Sequence, residues 1–555
     1  MNRLRRSTGP RRRAPRVRVG PVDRSLTGMA GLVAVAELVD RLGVVEALDD
    51  QVGPVKQRAR GLSGGELLVG LASAQVAGQA TLSGLDRLRS DEAGGLLAAV
   101  PFAPSRTAAR LAGRFGLAQL AGVEGAVGVL ASRWLARLPA QRRAELVTGR
   151  PTIDLDSSDV EVFGRKKRGV AYTYEGKKAG RPLLASWARA GLVLAADLLA
   201  GDQDVRPRAA GLLARALSNL PAAVCAPPLL RADSGFFTGE LARAAVAAGV
   251  DFAIAAPRNS ALWRAYAAVE ENAWTDARDM TGAQVAASSS APAGWPPGTY
   301  TVIRRVKVPA GEISADPRSR RRRTIPKDQL TLALDGVVDH AWAVSFIVTN
   351  IPANDPDGIV AVEHWFRGRA DIETRIKDAK LGAGLRHLPS ADSAVNQVWM
   401  WAAILAGWLS TMLQALTGFD QHAGRAHGDR LRHELILIPG RVTRHAGALT
   451  LRLPPGRDQH LPTGLDRLAP FRQPPDQRIS LPTTSSGPWT RRRPGATAGP
   501  SPCPPPRDNI NKPEKERSPI FHQTNRTTGG SRSESAPAQP TTRVQPPPEA
   551  KAPEP

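Results

Sequence analysis

Three carboxylates in the middle of the chain are placed where they could share a metal ion. Asp156 ends a short apolar run, residues 152–156, that reads as a β-strand and lies in the motif IDLDSS (153–158). Asp233 ends a second such run, 229–233, in the motif LRADSGF (230–236), and Glu373 falls inside a helical pattern over roughly 359–381. Carboxylates at the carboxyl ends of strands in an α/β sheet face the crevice where ligands bind. Two Asp and one Glu offer the hard oxygens that Mg²⁺ takes, with Mn²⁺ able to substitute, and water and phosphate fill the other positions. Two such ions about 4 Å apart can clamp the attacking and leaving oxygens of a phosphoryl displacement. Asp154 is the rival first ligand, because residues i and i+2 of a strand share a face.

The helical pattern adds a second constellation. Phe366, Arg369, Glu373 and Lys380 stand at offsets of 0, 3, 7 and 14. At about 100° per residue they fall near 0°, −60°, −20° and −40°, on one narrow face. A carboxylate flanked by two cations suits a metal–phosphate site, one ligand for the ion and two donors for phosphate oxygens. The plainer alternative is a solvent-exposed i,i+4 Arg–Glu pair.

These residues carry a resemblance. The spacing Phe366-x₂-Arg369-x₃-Glu373-x₆-Lys380 resembles the Tyr-x₂-Arg-x₃-Glu-x₆-Lys signature of DDE transposases of bacterial insertion sequences. The blocks IDLDSSDVEVFGRKKRGVAYTYEGKKAGRP, LLRADSGFFTGELARAAVAAGVDFAI, HWFRGRADIETRIKDAKLGAGLRHLPS and AVNQVWMWAAILAGW together resemble the insertion-sequence family numbered thirteen-eighty, over roughly residues 20–470. The resemblance implies that Asp156, Asp233 and Glu373 are the catalytic, metal-holding triad. It further implies that Arg369 and Lys380 steady the phosphates of the cut strand. Two positions depart from the pattern: Phe366 replaces the signature Tyr, losing its hydroxyl, and Ser158 stands where the family has Thr.

The elements that must position these groups follow from texture along the chain. Residues 1–26 form a basic arm with nine Arg and one Asp, and 27–150 read as a helical DNA-binding or multimerisation domain. Ser63-x-x-Glu66 is a capping box, and 106–115 read as a helix with Arg along one side. Residues 151–256 give three antiparallel strands, the last two joined as a hairpin through Ala190-Gly191, followed by alternating helix and strand. An insertion at 257–340, with strands at 300–308 and 329–334, interrupts this core. The core resumes over 341–420, a C-terminal segment spans 421–472, and a Pro-rich tail without periodicity occupies 473–555. The expected fold is a ribonuclease H-like α/β catalytic core with a β-rich insertion between the second Asp and the Glu, plus a helical N-terminal domain.

Composition narrows the function. The 555 residues carry 75 Lys+Arg against 51 Asp+Glu, a net charge of +24, which points to nucleic acid as partner. Arg165, Lys166, Lys167, Arg168, Lys177, Lys178 and Arg181 follow Asp156 closely and could make sequence-independent phosphate contacts. Phe366, Arg369 and Lys380 join them as DNA contacts. Trp263, Trp274 and Trp295 are candidates for base stacking, with core packing as the alternative. Asp197, Asp202 and Asp204 read as turn residues. Two cysteines, Cys225 and Cys503, exclude a disulfide scaffold and a Cys-based zinc cluster. The longest apolar run, 398–409, falls short of the roughly 20 residues a membrane span needs, so a soluble, cytoplasmic, nucleoid-associated protein is expected. No Walker A sequence occurs, and no ATP requirement is expected. The function implied is a transposase that binds terminal inverted repeats, hydrolyses a phosphodiester and transfers the 3′-OH to target DNA, working as a dimer or higher multimer. The alternatives are a catalytically inactive DNA-binding relic and a simple metal-dependent nuclease.

Overall fold

The computed structural model of the chain describes residues 19–58, 60–369, 380, 382–418, 428–456 and 460–468. Glu373, most of the N-terminal arm and the Pro-rich tail lie outside the described residues. All described residues belong to one compact unit, 1–487.

A two-residue strand, β1 (Leu26–Thr27), precedes eight helices: α1 (Leu32–Leu42), α2 (Val44–Val52), α3 (Gly64–Val76), α4 (Ser83–Ser90), α5 (Glu92–Gly95), α6 (Ser105–Ala112), α7 (Leu117–Arg137) and α8 (Ala140–Thr148). The capping box opening α3 is present: Ser63 Oγ accepts from Glu66 N at 3.0 Å, and Glu66 Oε2 accepts from Ser63 N at 2.7 Å. Helix α3 is apolar nearly all round and buried nearly all round, as such a pattern requires.

The sheet begins with β2 (Thr152–Ser157), β3 (Val160–Glu161), β4 (Ala171–Tyr172), β5 (Lys178–Trp187) and β6 (Leu192–Ala200). Then come α9 (Arg206–Ser218), β7 (Leu229–Ala232), α10 (Gly239–Ala247) and β8 (Asp251–Ala256). Strand β5 runs antiparallel to both β6 and β2, while β2, β7 and β8 are parallel, so the sheet is mixed α/β. The segment that interrupts the core holds α11 (Ser260–Ala267), β9 (Thr275–Asp276), β10 (Ala283–Ser288), β11 (Tyr300–Pro309) and α12 (Lys327–Leu334). Strand β12 (His340–Thr349) pairs with both β11 and β8, so β9–β11 extend the core sheet to eleven strands. One apolar core runs from the N-terminal helices into β2 and β5–β8, and smaller clusters fill the two faces of the β8–β12 half.

Helix α13 (Pro356–Arg367) carries the end of the sheet back toward β2. Helix α14 (Ser393–Thr417) lies against α3 and β6. Its 25 residues are apolar enough on composition to cross a bilayer, yet most are enclosed by this protein's own core. A short turn, α15 (Gly428–Leu431), the hairpin β13 (Gly440–His445) with β14 (Ala448–Arg452), and α16 (His460–Leu468) complete the described chain.

The structure corrects four expectations. Residues 329–334 are helical, in α12, because both edges of β12 are already taken, by β11 over ten residue pairs and by β8. Leu330 and Ala333, three apart, instead pack a helix face against Val308 and Ala341. The helix expected over 359–381 is α13, which stops at Gly368; the next N–H groups donate three residues back, Gly368 to Trp365 and Arg369 to Phe366. Phe366, Arg369 and Lys380 therefore do not lie on one continuous helix. The β5–β6 turn spans four residues, since Trp187 pairs with Leu192 and Gly191, at φ +76°, donates back to Trp187 O. Asp197 sits within β6, ion-paired to Arg215 at 2.9 Å, rather than in a turn.

Candidate active site

Parallel pairing of β2 with β7 brings two of the three carboxylates together. Leu155 is in register with Ala232, so Asp156 and Asp233 each follow that pair by one residue. Asp156 is buried at the end of β2, where its Oδ1 accepts from Ser157 N at 2.9 Å. Asp233 caps a 3₁₀ turn (Ser234–Phe236), accepting from Gly235 N at 2.9 Å. Both reach one cation: Arg369 Nη2 lies 3.1 Å from Asp156 Oδ1 and 3.7 Å from Asp233 Oδ2. The Arg369 Nε is buried without a hydrogen-bond partner among the described residues. A buried donor left unmatched is costly, and a phosphate oxygen would satisfy it.

Asp154, the rival ligand, has a different environment. It is 1% exposed and receives both Arg231 Nε (2.7 Å) and Nη2 (2.9 Å) in a bidentate pair. Arg231 goes further, donating from Nη1 to Trp365 O at 2.6 Å with its guanidinium 5.1 Å from the Trp365 ring centre. Trp365 Nε1 in turn donates to Thr152 Oγ1 at 3.2 Å. The last turn of α13 is thereby pinned to β2 and β7, and this holds Arg369 over the carboxylates. Arg231 carries no local signal in the sequence; an Arg opposite an Asp on neighbouring strands becomes detectable only once the pairing is known.

Lys380 reaches the same end of β2, donating to Ser158 Oγ and, at 2.9 Å, to Asp159 O. Burial pushes its ammonium below the ordinary lysine range, against the opposing pull of Asp159 and Asp156. Phe366 is half-buried and packs into the cluster beneath α13 rather than standing free. A cleft of about 520 Å³ opens beside these groups, lined by Ser158, Tyr174, Arg181, Arg206 and Asp233 among others.

The basic loops divide into engaged and free cations. Lys167 donates to the carbonyls of Leu388 and Ser390, and Lys178 to those of Gly164 and Arg165, so both tie loops together. Arg168 pairs with Asp392 at 2.9 Å, Lys177 with Glu175 at 2.9 Å, and Arg181 with Asp159 at 2.8 Å. Arg165 and Lys166 are exposed, their side chains free among the described residues. The three Trp are packing residues: Trp263 sits edge-on to Phe346, Trp295 against Phe237 and Phe252, and Trp274 under Arg305.

Among the described residues no group of three metal-ligating side chains assembles, Glu373 being outside them. Two carboxylates that share one guanidinium nitrogen are nonetheless close enough to share a divalent ion, so Asp156 and Asp233 fit a hard cation.

No curated protein sequence matches the chain. A cryo-EM structure of a piggyBac transposase synaptic complex with hairpin DNA aligns with 82% of this chain and 86% of that chain, at 9% identity and a TM-score of 0.32. A family model described as transposase DDE domain group 1 matches residues 10–460, a span that holds Asp156, Asp233, Arg369 and the whole sheet that positions them. This chain belongs to the transposase DDE domain group 1 family.

Proposed function

We propose that the chain binds the terminal inverted repeats of an insertion sequence, cuts phosphodiesters there and joins the freed 3′-OH to target DNA. The observation that carries this reading is the convergence of Asp156 and Asp233 on Arg369, whose buried Nε has no acceptor among the described residues. The catalytic core is read as ribonuclease H-like, with Asp156, Asp233 and Glu373 holding Mg²⁺ or Mn²⁺. Bound there, the metal ions would polarise the scissile phosphate and lower the pKa of the attacking oxygen. Arg369 then turns from the carboxylates to the phosphate, since its planar fork suits two phosphate oxygens. Lys380, held at the end of β2, supplies a second phosphate donor. Asp154 and Arg231 take no part in the chemistry and hold the frame. DNA is the partner in this reading and assembly is a dimer or larger, in the cytoplasm, without ATP.

The test is incubation of the full chain with a duplex carrying the sequence that flanks its gene, with Mg²⁺ or Mn²⁺. End-specific nicking that Asp156→Ala, Asp233→Ala and Glu373→Ala each abolish, with repeat binding retained, is the expected result. Binding without nicking in the parent chain would leave the inactive relic as the reading.

A further inference from the structure

Among the described residues, the large apolar and aromatic side chains standing exposed include three aromatics: Phe163 (87%), Tyr172 (67%) and Tyr174 (88%). All three fall within twelve positions, between β3 and β5, in the run FGRKKRGVAYTYEGKK. That run holds six cations and one acid. Solvent-exposed aromatics interleaved with cations are what single-stranded nucleic acid needs, rings for the bases and charge for the backbone.

Tyr172 ends β4, and Tyr174 stands in the turn that leads to β5, closed by the Gly176 N–H donating to Thr173 O at 2.9 Å. Both rings are exposed, while Thr173 between them is buried. Pairing of Tyr172 with Lys178 and the Thr173 N–H to Lys177 O bond of 2.8 Å tie this turn to β5. Tyr174 also lines the cleft that contains Asp233 and Ser158, together with Arg181 and Arg206. The exposed Arg165 and Lys166 stand on the neighbouring loop with no side-chain partner among the described residues.

We propose that Tyr172 and Tyr174 form a stacking platform for unpaired nucleobases at the lip of the catalytic cleft. It gives the cleft a preference for DNA whose strands are separated beside the cut. The inference rests on the transposase reading above, adding a subsite to it. A platform of this kind is indifferent to base identity, because every base has a π-face.

The experiment compares the full chain with Tyr172→Ala, Tyr174→Ala and the corresponding Phe variants, with EDTA present so that no cutting intervenes. Affinity is measured for a single-stranded oligonucleotide and for a duplex of the same sequence, across a range of salt. Each Ala variant should bind the single strand roughly 10- to 100-fold more weakly, while duplex affinity stays within about two-fold. Each Phe variant should bind like the parent, since the ring and not the phenol does the work. The salt slope should stay the same in all four variants and fall by about 0.7 in Arg165→Gln, which removes a phosphate contact. Both tyrosines are exposed, so thermal midpoints should not move. Equal losses on single strand and duplex, or Ala variants that bind single strands like the parent, would overturn the platform. If that happens while the parent still cuts duplex DNA with metal, the transposase reading survives; a parent that binds neither form overturns both.

Discussion

At Asp154 the carboxylate is enclosed and both its oxygens accept from Arg231, whereas at Asp156, two positions on, one oxygen faces Arg369 beside Asp233. Removing one member of a buried ion pair strands the other charge, at a cost of about 3–5 kcal/mol. Asp154→Ala should therefore lower the thermal midpoint by many degrees, and any loss of DNA cleavage would follow from lost structure. Asp156→Ala should cost far less, because Arg369 keeps Asp233, and cleavage should vanish in a protein that still melts normally. Calorimetry alongside the cleavage assay separates the two; equal melting of both variants would contradict the division of roles. The double substitution Asp154→Asn with Arg231→Leu should melt above Asp154→Ala alone, because it leaves no buried charge unpaired.

Gly368, the residue that follows α13, stands where a side chain has little room. A Cβ at Gly368 would stand 2.9 Å from Arg231 Nη1 and 3.2 Å from Trp365 O. The backbone there is ordinary, φ −59° and ψ −6°, so crowding alone is at issue. Gly368→Ala should displace Arg231 or the helix end and cost about 1–3 kcal/mol, with slower cleavage as Arg369 shifts. An unchanged melting curve and rate would show that Arg231 yields freely. Strand β11 carries a second element-scale consequence. Tyr300 donates its hydroxyl to Ile351 O at 2.8 Å, and burial pushes its phenol from 10 up to about 12. The protonated form is the one the fold favours, so its contribution is complete below pH 10 and is lost as pH rises through about 12. Tyrosinate absorbance should show a late-titrating phenol in the parent that disappears in Tyr300→Phe. Titration of every tyrosine together near pH 10 would refute the assignment.

For the molecule as a whole, the helical body and the sheet share one apolar core, running from α1 through α14 to β8. Substitutions at Trp134 or Trp187, both fully buried in it, should therefore unfold helices and sheet together in a single transition. The family match ends at residue 460, close to the last described helix. Residues 473–555, outside the described part, hold 19 of the chain's 47 prolines. A chain ending near Pro475 should fold, bind DNA and cut it like the full-length protein, with its thermal midpoint barely changed. Loss of solubility or of end-specific binding on truncation would assign the tail a function instead.

Local signals in the sequence were enough for the strands at 152–157 and 229–232, the capping box at Ser63, the apolar helix through Trp399 and the position of Asp156 and Asp233 at strand ends. Each depends on residues within about four positions, whose periodicity and hydrogen bonding a linear reading can follow. What distinguishes the surroundings of Asp154 from those of Asp156 was beyond such a reading, because Arg231, on another strand, engages Asp154 through the β2–β7 register. The helical state of 327–334 was decided likewise by β11 filling the edge of β12. Exposure of Tyr172 and Tyr174 also emerged only in three dimensions. Propensity and pattern are local, whereas ion pairing, steric exclusion and solvent access depend on partners that only the folded chain brings near.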